Sequence, residues 1–432
     1  MIRYSALLGA YLLSSVGTAS AIDVDVGLAS RFSYAHGTSN DVAVGAILEL
    51  EPEARVDVNE LHHLQLSARV RADYRQSWIP GSPNFETYDR ISKPATHGNN
   101  MFAELRDVYL ERRLENGLVR IGKQQIVWGA LDGLKVLDVL NPQMFDQFIL
   151  QDFDRSRIPL WSAYGDFTFG SWRIETAAIP DSTTHYLPEP TAWFGFRAPR
   201  YRFGAPVSAD DSLSAPRELD DDRGTVALRV SRYIGGVDAQ FVAVSGLDFE
   251  PILRREESEG ATAAITTHER RTLLGMALAG SVSNLAVRAE VGYTPKRQFN
   301  THGVRGPEVV SLRQWLVGVG LDWNAPYDTF MNLQFLIDRV VDAPDALVRP
   351  DRDRIVTVFL RRRFNYDVVE LQARWYHEMD SGDDLVRVAA QYQLTESLSV
   401  ECSYESFSGS EQGIFGQFRN SDLAQLTFEH RF

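Results

Sequence analysis

Cysteine is nearly absent. Cys402 stands alone among 432 residues, so no intramolecular disulfide frames the chain. Long apolar runs are missing as well. Thr272 to Val287 carries no charge, yet it is only 16 residues long and contains Gly280-Ser281-Val282-Ser283-Asn284. A membrane-spanning helix needs ~20 predominantly apolar residues, so no helical span is expected beyond the N-terminal segment. Basic residues are in deficit: 44 Lys and Arg face 58 Asp and Glu, a net charge of −14. A chain this acidic offers phosphates no broad basic face, which argues against a nucleic-acid partner. Catalytic signatures are lacking too. Nine histidines are present, none in His-Glu-x-x-His or beside Gly-x-Ser-x-Gly, and His62-His63 reads as a solvated pair near a turn. A nucleophile, a base and an orienting group are not marked, so no enzyme is expected, a lipid hydrolase in a barrel wall being the version weighed. No cofactor or metal ligand set is expected. No Pro- or Ser-rich linker divides the chain, and no repeat of fixed period runs through it.

What is present begins with MIRYSALLGAYLLSSVGTASA. Arg3, an apolar stretch from Ala6 to about Val16, and Ala19-Ser20-Ala21 together read as a signal peptide over 1–21, with the mature domain over 22–432. From Ile22 the periodicity is two nearly everywhere. Leu64, Leu66, Ala68, Val70, Ala72 and Tyr74 share one face, opposite His63, Gln65, Ser67, Arg69, Arg71 and Asp73. Leu285, Val287, Ala289, Val291 and Tyr293 oppose Arg288 and Glu290, and Leu398, Val400, Cys402 and Tyr404 oppose Glu401 and Glu405. Side chains alternate across a strand, so these are strands with one apolar and one polar face.

Two architectures fit such strands, and the connections separate them. Short turns such as Asn116-Gly117, Gly170-Ser171, Gly235-Gly236 and Ser283-Asn284 alternate with long polar stretches near 79–100, 181–223, 247–270, 295–309, 340–353, 378–385 and 408–420. A soluble sandwich has no reason to keep that rhythm, whereas a transmembrane barrel has short turns at one rim and long loops at the other. The expected fold is all-β: a transmembrane, antiparallel, up-and-down barrel of about 18 strands, with 16 or 14 also compatible, in a bacterial outer membrane. Tyr34, Trp78, Tyr164, Trp172, Tyr233, Trp323 and Trp375 are candidates for interfacial girdles. The chain ends on an alternating strand, SDLAQLTFEHRF. Its terminal Phe432 resembles the signal by which outer-membrane barrels are recognised by their assembly machinery. Outer-membrane lipid and lipopolysaccharide are the other expected partners, with association into a homo-oligomer left open. Asp210, Asp211 and Asp220 to Asp222 read as a solvated face, the alternative being a divalent cation bridged to lipopolysaccharide phosphates.

One stretch breaks the alternation: WGALDGLKVLDVLNPQMFDQFIL, from Trp128 to Leu150. It is too apolar for an exposed loop and too charged for a lipid-facing strand. Its remaining place is the lumen, so 129–158 is expected to fold inward as a constriction or plug. A lid over the outer loops is the alternative. A short helix is expected over Leu134 to Leu140, ended before Asn141-Pro142. Asp132, Lys135, Asp138 and Asn141 are expected to face the pore. Arg69, Arg71, Arg120 and Lys123 are expected to form a basic stripe beside it, and Gln124 and Trp128 are expected among the pore or constriction residues. Other inward charges of both signs read mostly as cross-strand ion pairs.

ELRDVYLERRL (104–114), VRIGKQQIVWG (119–129), DGLKVLDVLNP (132–142) and DFDRSRIPLW (152–161) resemble a porin-like outer-membrane family without an assigned function. That family carries an Arg-x-Gly-Arg/Lys-Gln strand running into Trp-Gly, then an Asp-Gly…Asp-x-x-Asn-Pro loop. The Gly-Lys-Gln element is also similar to alginate-export and anion or hydrocarbon porins. The resemblance implies movement of solutes or lipid-like molecules across the outer membrane. The expected function is a porin-like channel for small or amphipathic, anionic or hydrophobic solutes. The alternative is a closed-lumen barrel that binds ligand or exports hydrophobic cargo.

Overall fold

The computed structural model describes residues 22–39, 41–79, 85–131, 135–202, 224–258, 261–303 and 306–432. The expected signal peptide, Asp132 and the acidic run from Asp210 to Asp222 lie outside them. Eighteen strands form the wall: β1 Asp23–Gly37, β2 Val42–Asn59, β3 His62–Asp73, β4 Met101–Leu114, β5 Gly117–Gln124, β6 Leu160–Phe169, β7 Trp172–Ile179, β8 Thr225–Ile234, β9 Val237–Leu247, β10 Arg270–Val282, β11 Leu285–Gly303, β12 Gly306–Ala325, β13 Thr329–Val341, β14 Arg352–Phe364, β15 Val369–Glu378, β16 Asp383–Gln393, β17 Leu398–Ser408 and β18 Leu423–Arg431. Each pairs antiparallel with its neighbours in sequence, and β1 pairs with β18 from Ala29↔Arg431 to Gly37↔Leu423, which closes the barrel. The count and the alternation are those expected from the sequence.

The two periodic faces explain the wall. Outward side chains are apolar and open: Val226, Phe241, Leu274, Val287, Val319, Leu333, Leu371 and Val388 are all 40–60 % exposed. An apolar band of this extent around a closed sheet is what lipid requires, and closure leaves no strand edge unpaired in it. Turn chemistry fixes the register at the short-turn rim. Gly235 and Gly236, at φ 57° and 91°, join β8 to β9 in the left-handed region that glycine tolerates.

Two aromatic expectations fail. Trp78 is buried in a cluster inside the long-loop rim, and Tyr164 points into the lumen, where its hydroxyl donates to Glu175 at 2.5 Å. A buried and a lipid-facing aromatic look alike in sequence, because both sit beside apolar residues. Trp172, Tyr233, Trp323 and Trp375 do stand on the outer face. The described residues of 295–309, expected as a loop, instead extend β11 and β12 beyond their neighbours, with Thr301 opposite Glu308. A further hairpin, Ile252–Ser258 with Ala261–Thr267, rises between β9 and β10.

Candidate functional site

Between β5 and β6 the chain leaves the wall and returns 35 residues later, after Gln125 to Pro159. Its side chains meet the inner faces of strands from many sides. Leu131, Val136, Leu137 and Leu140 are buried against Val242, Val244, Leu273, Ala277 and Leu336. The bed is made shallow by glycine on the inward phase of three strands. A Cβ at Gly275 or Gly292 would meet Leu137, and one at Gly318 or Gly320 would meet Leu131. Polar ties complete the anchoring. Glu290 on β11 accepts from the backbone N–H groups of Ala130 and Leu137, the latter at 3.1 Å. Arg229 on β8 donates to the Trp128 carbonyl at 3.3 Å, and Arg288 on β11 to the Ala130 carbonyl at 2.5 Å.

On the opposite side, Arg155 pairs with Glu49 and Glu51 of β2, the second at 2.8 Å. Arg387 of β16 donates to the Leu150 carbonyl at 2.9 Å, and Arg71 of β3 pairs with Asp146 at 2.6 Å. The side chains of the ion pairs are largely buried, so loss of one partner leaves a charge uncompensated.

The expected helix does not form over 135–140, the described part of Leu134 to Leu140. The Leu137 N–H is taken by Glu290 and its carbonyl accepts from Val139 N–H at 3.0 Å, a tight turn that no α-helical ladder accommodates. The one-turn helix of this segment is Phe153–Ser156.

The sequence-derived residues come together, but most are committed to structure. Arg69 is buried and paired with Glu104, with Nη1 on the Arg155 carbonyl at 3.0 Å. Arg120 pairs with Glu111 at 2.7 Å and lies over the rings of Tyr109 and Tyr164. Lys123 is buried near the Ser92 carbonyl at 3.5 Å. Arg69, Arg71, Arg120 and Lys123 therefore do not stand as an open basic stripe. Gln124 donates to the Ser162 carbonyl at 3.4 Å, and Trp128 is buried beneath the Arg229 guanidinium, 5.3 Å from its ring. Asp138 holds both Lys135, at 2.8 Å, and Arg157, at 2.7 Å. Asn141 turns away from the pore into the segment's own backbone. It accepts from Ile126 N–H at 2.7 Å and donates to the Ile158 carbonyl at 2.9 Å, stapling the two ends of the segment. A short polar side chain that satisfies buried backbone groups outcompetes solvent here. The inward charges elsewhere form the expected cross-strand pairs, including Arg229–Glu175, Arg288–Asp322 and Arg387–Glu401.

A cluster that sequence reading missed covers the long-loop end. Phe148 sits at φ 52°, a conformation bulky residues rarely adopt, and is held by the rings of Phe196, Phe407, Phe415 and Phe418, the last at 4.7 Å. Asp383 fixes the segment that carries Phe415 by accepting from the N–H groups of Ser410, Phe415 and Gly416. Phe148 lies on the crossing segment, Phe196 on the loop after β7, Phe407 at the end of β17, and Phe415 and Phe418 on the loop before β18, so no local pattern announces them.

Three cavities remain around the segment. One of about 320 Å³ lies under the long loops and is lined by Phe145, Phe148, His185, Phe196, Phe299 and Phe415 among others. A second, of about 480 Å³, runs along Phe330, Thr357, Phe359 and Arg374 and shares Ile149 with the first. A third, of about 420 Å³, opens at the short-turn rim and shares Gln151, Asp152, Gln372 and Arg374 with the second.

Solved structures with this fold include OccAB1 of Acinetobacter baumannii, 7 % identical, with 97 % of this chain and 98 % of that one aligned at a TM-score of 0.54. OpdK of Pseudomonas aeruginosa, solved with vanillate, is 11 % identical over 95 % of this chain and 98 % of its own, at 0.53. OccAB3 of Acinetobacter baumannii is 9 % identical over 95 % and 99 %, at 0.52. At these identities the likeness is one of fold, the porin-like barrel of outer-membrane proteins. No curated protein matches the chain. With an apolar outer face around a closed wall, the protein is an outer-membrane β-barrel. Over residues 62–432 it matches the model of a protein family of unknown function, and the chain belongs to that family, DUF1302.

Proposed function

We propose that the protein is a porin-like channel for passive passage of small amphipathic solutes, narrowed by the segment between β5 and β6. The observation that carries this reading is the pairing of a tied crossing segment with neighbouring cavities that share lining residues along it. The segment is anchored to β2, β3, β8, β11 and β16. Beside it, Ile149 lines both the first cavity and the second, and Gln151 and Arg374 line both the second and the third. Their walls change from aromatic at the long-loop end to polar at the short-turn end, which suits solutes with both characters.

Single-channel conductance in a planar bilayer tests it, comparing the intact protein with one lacking residues 131–150. Steady current that rises on deletion supports a constricted channel. A silent intact protein with large currents after deletion would instead mean a plugged barrel. That second reading, a closed-lumen barrel for hydrophobic cargo, is favoured by the apolar cavity under the long loops. Silence in both, from folded protein, overturns the channel reading.

A further inference from the structure

The cavity under the long loops resolves which part of an amphipathic solute is recognised there. Its floor is aromatic: Phe145, Phe148, Phe196, Phe299 and Phe415 line it, with Tyr201 stacked on Phe196 at 4.7 Å. Its volume of about 320 Å³ is at the small end of ligand pockets, which run ~300–1,000 Å³.

The charged groups at its edge are already matched. Arg200 is bidentate on Asp353 at 2.8 and 2.7 Å. Arg297 is bidentate on Asp248 at 2.7 and 3.0 Å, with Gln314 at 2.9 Å and Glu250 at 3.0 Å. Arg349 pairs with Asp338 at 2.8 Å and Asp353 at 2.5 Å. An anion entering here would have to displace a carboxylate that is already in place. Burying it without a partner is costly.

His185 is a neutral polar group on the same wall. His185 lines the cavity, and its Nδ1 accepts from the Gln143 N–H at 2.9 Å. Nδ1 is therefore unprotonated, and the ring proton sits on Nε2. Among the described residues no hydrogen-bond partner to Nε2 is found. Burial holds the ring's pKa at about 3, which keeps it a neutral donor at ordinary pH.

We infer that this cavity is a recognition site for an uncharged, two-ring-sized hydrophobic molecule bearing a single hydrogen-bond acceptor, such as a ketone or ether oxygen, which receives the His185 Nε2–H while its rings stack among the phenylalanines. The inference deepens the proposed function, since it names the solute class that would enter the channel, but the binding itself does not require an open pore.

The test is equilibrium binding to the full-length protein in nanodiscs, read by saturation-difference NMR against empty nanodiscs. The probes are 2-acetonaphthone, naphthalene and 2-naphthoate. The ketone is expected to bind tighter than naphthalene by about fivefold, the worth of one net hydrogen bond. It is expected to bind tighter than the carboxylate by at least about tenfold. His185→Phe should lower ketone affinity to the level of naphthalene and leave naphthalene unchanged. Ile414→Trp, which fills the cavity from its edge, should abolish binding of both. Tighter binding of naphthoate would overturn the uncharged assignment. Equal loss of naphthalene and ketone in His185→Phe would overturn the role of Nε2. No binding above empty nanodiscs, from protein shown to be folded, would overturn the site. Binding by a protein that carries no current would leave this site standing and remove the channel reading.

Discussion

Leu137 occupies the space that a side chain at Gly275 would need. Leu137 is fully buried, so it has no free direction in which to yield. The glycine thus sets how deeply the crossing segment seats on the wall. Gly275→Leu should unseat the segment at a cost of ~1–3 kcal/mol, as overpacking does, and raise single-channel conductance. Gly275→Ala should have a milder effect of the same sign, and adding Leu137→Ala should reverse it. Unchanged conductance in Gly275→Leu would show that the segment does not narrow the pore.

Glu290 holds two backbone N–H groups of the segment, Ala130 and Leu137. Glu290→Ala leaves both donors without their acceptor, each loss worth ~1–3 kcal/mol where the group stays buried. The expected outcome is noisier open-channel current and faster tryptic cleavage after Arg155 or Arg157. Glu290→Gln keeps an acceptor oxygen and should fall between the two. Equal cleavage rates in all three proteins would refute the anchoring role.

Arg71 and Asp146 are both buried in the lumen and 2.6 Å apart. Arg71→Met should destabilise the protein by ~3–5 kcal/mol, because it strands the Asp146 carboxylate. Arg71→Met with Asp146→Met should recover most of that loss. The midpoint of urea unfolding, followed by the mobility shift of folded barrel on gels, measures both.

His185 predicts a pH dependence at the long-loop end. Its pKa is about 3 in the folded protein against an ordinary 6.5, because burial disfavours the charged ring. The unfolded chain therefore binds the proton more readily between those values. The stability His185 contributes is complete above about pH 6.5 and is lost as pH falls toward 3. Protonation would also remove the acceptor for Gln143 N–H. Cleavage at the neighbouring Arg197 and Arg200 by an acid-tolerant protease should accelerate on acidification. His185→Asn, which offers an oxygen and cannot gain the charge, should flatten the profile.

The wall was legible from sequence because a strand in lipid has to repeat every two residues. Leu285, Val287, Ala289 and Val291 announce their face without any tertiary knowledge. The segment from Trp128 to Leu150 was legible by contrast, as the stretch that could not obey that rule. Its bed was not read, although Gly275, Ala277, Gly292, Gly318 and Gly320 all fall on the polar phase of their strands. Small residues where charge is expected are the available signal for an inward-packed segment. Arg69 and Arg71 were placed on the correct face, but their partners Glu104 and Asp146 are distant in sequence, so their neutralisation was not visible. Tyr164 and Asn141 were misplaced for the same reason: each is positioned by a hydrogen bond that only the folded chain supplies. The cluster around Phe148 draws on several loops and left no periodic trace.

The stretch from Leu150 to Arg155 has a mechanical consequence. It is bonded at one end to Arg387 on β16 and at the other to Glu49 and Glu51 on β2. Those strands flank the junction where the first strand of the barrel meets the last. The junction pairs nine residues, from Ala29 to Gly37, whereas β1 meets β2 along its whole length from Asp23 to Gly37. The segment is therefore a strut across the seam that closes the hoop. It resists lateral gaping there, so the seam is held from within the lumen as well as by its own ladder of hydrogen bonds.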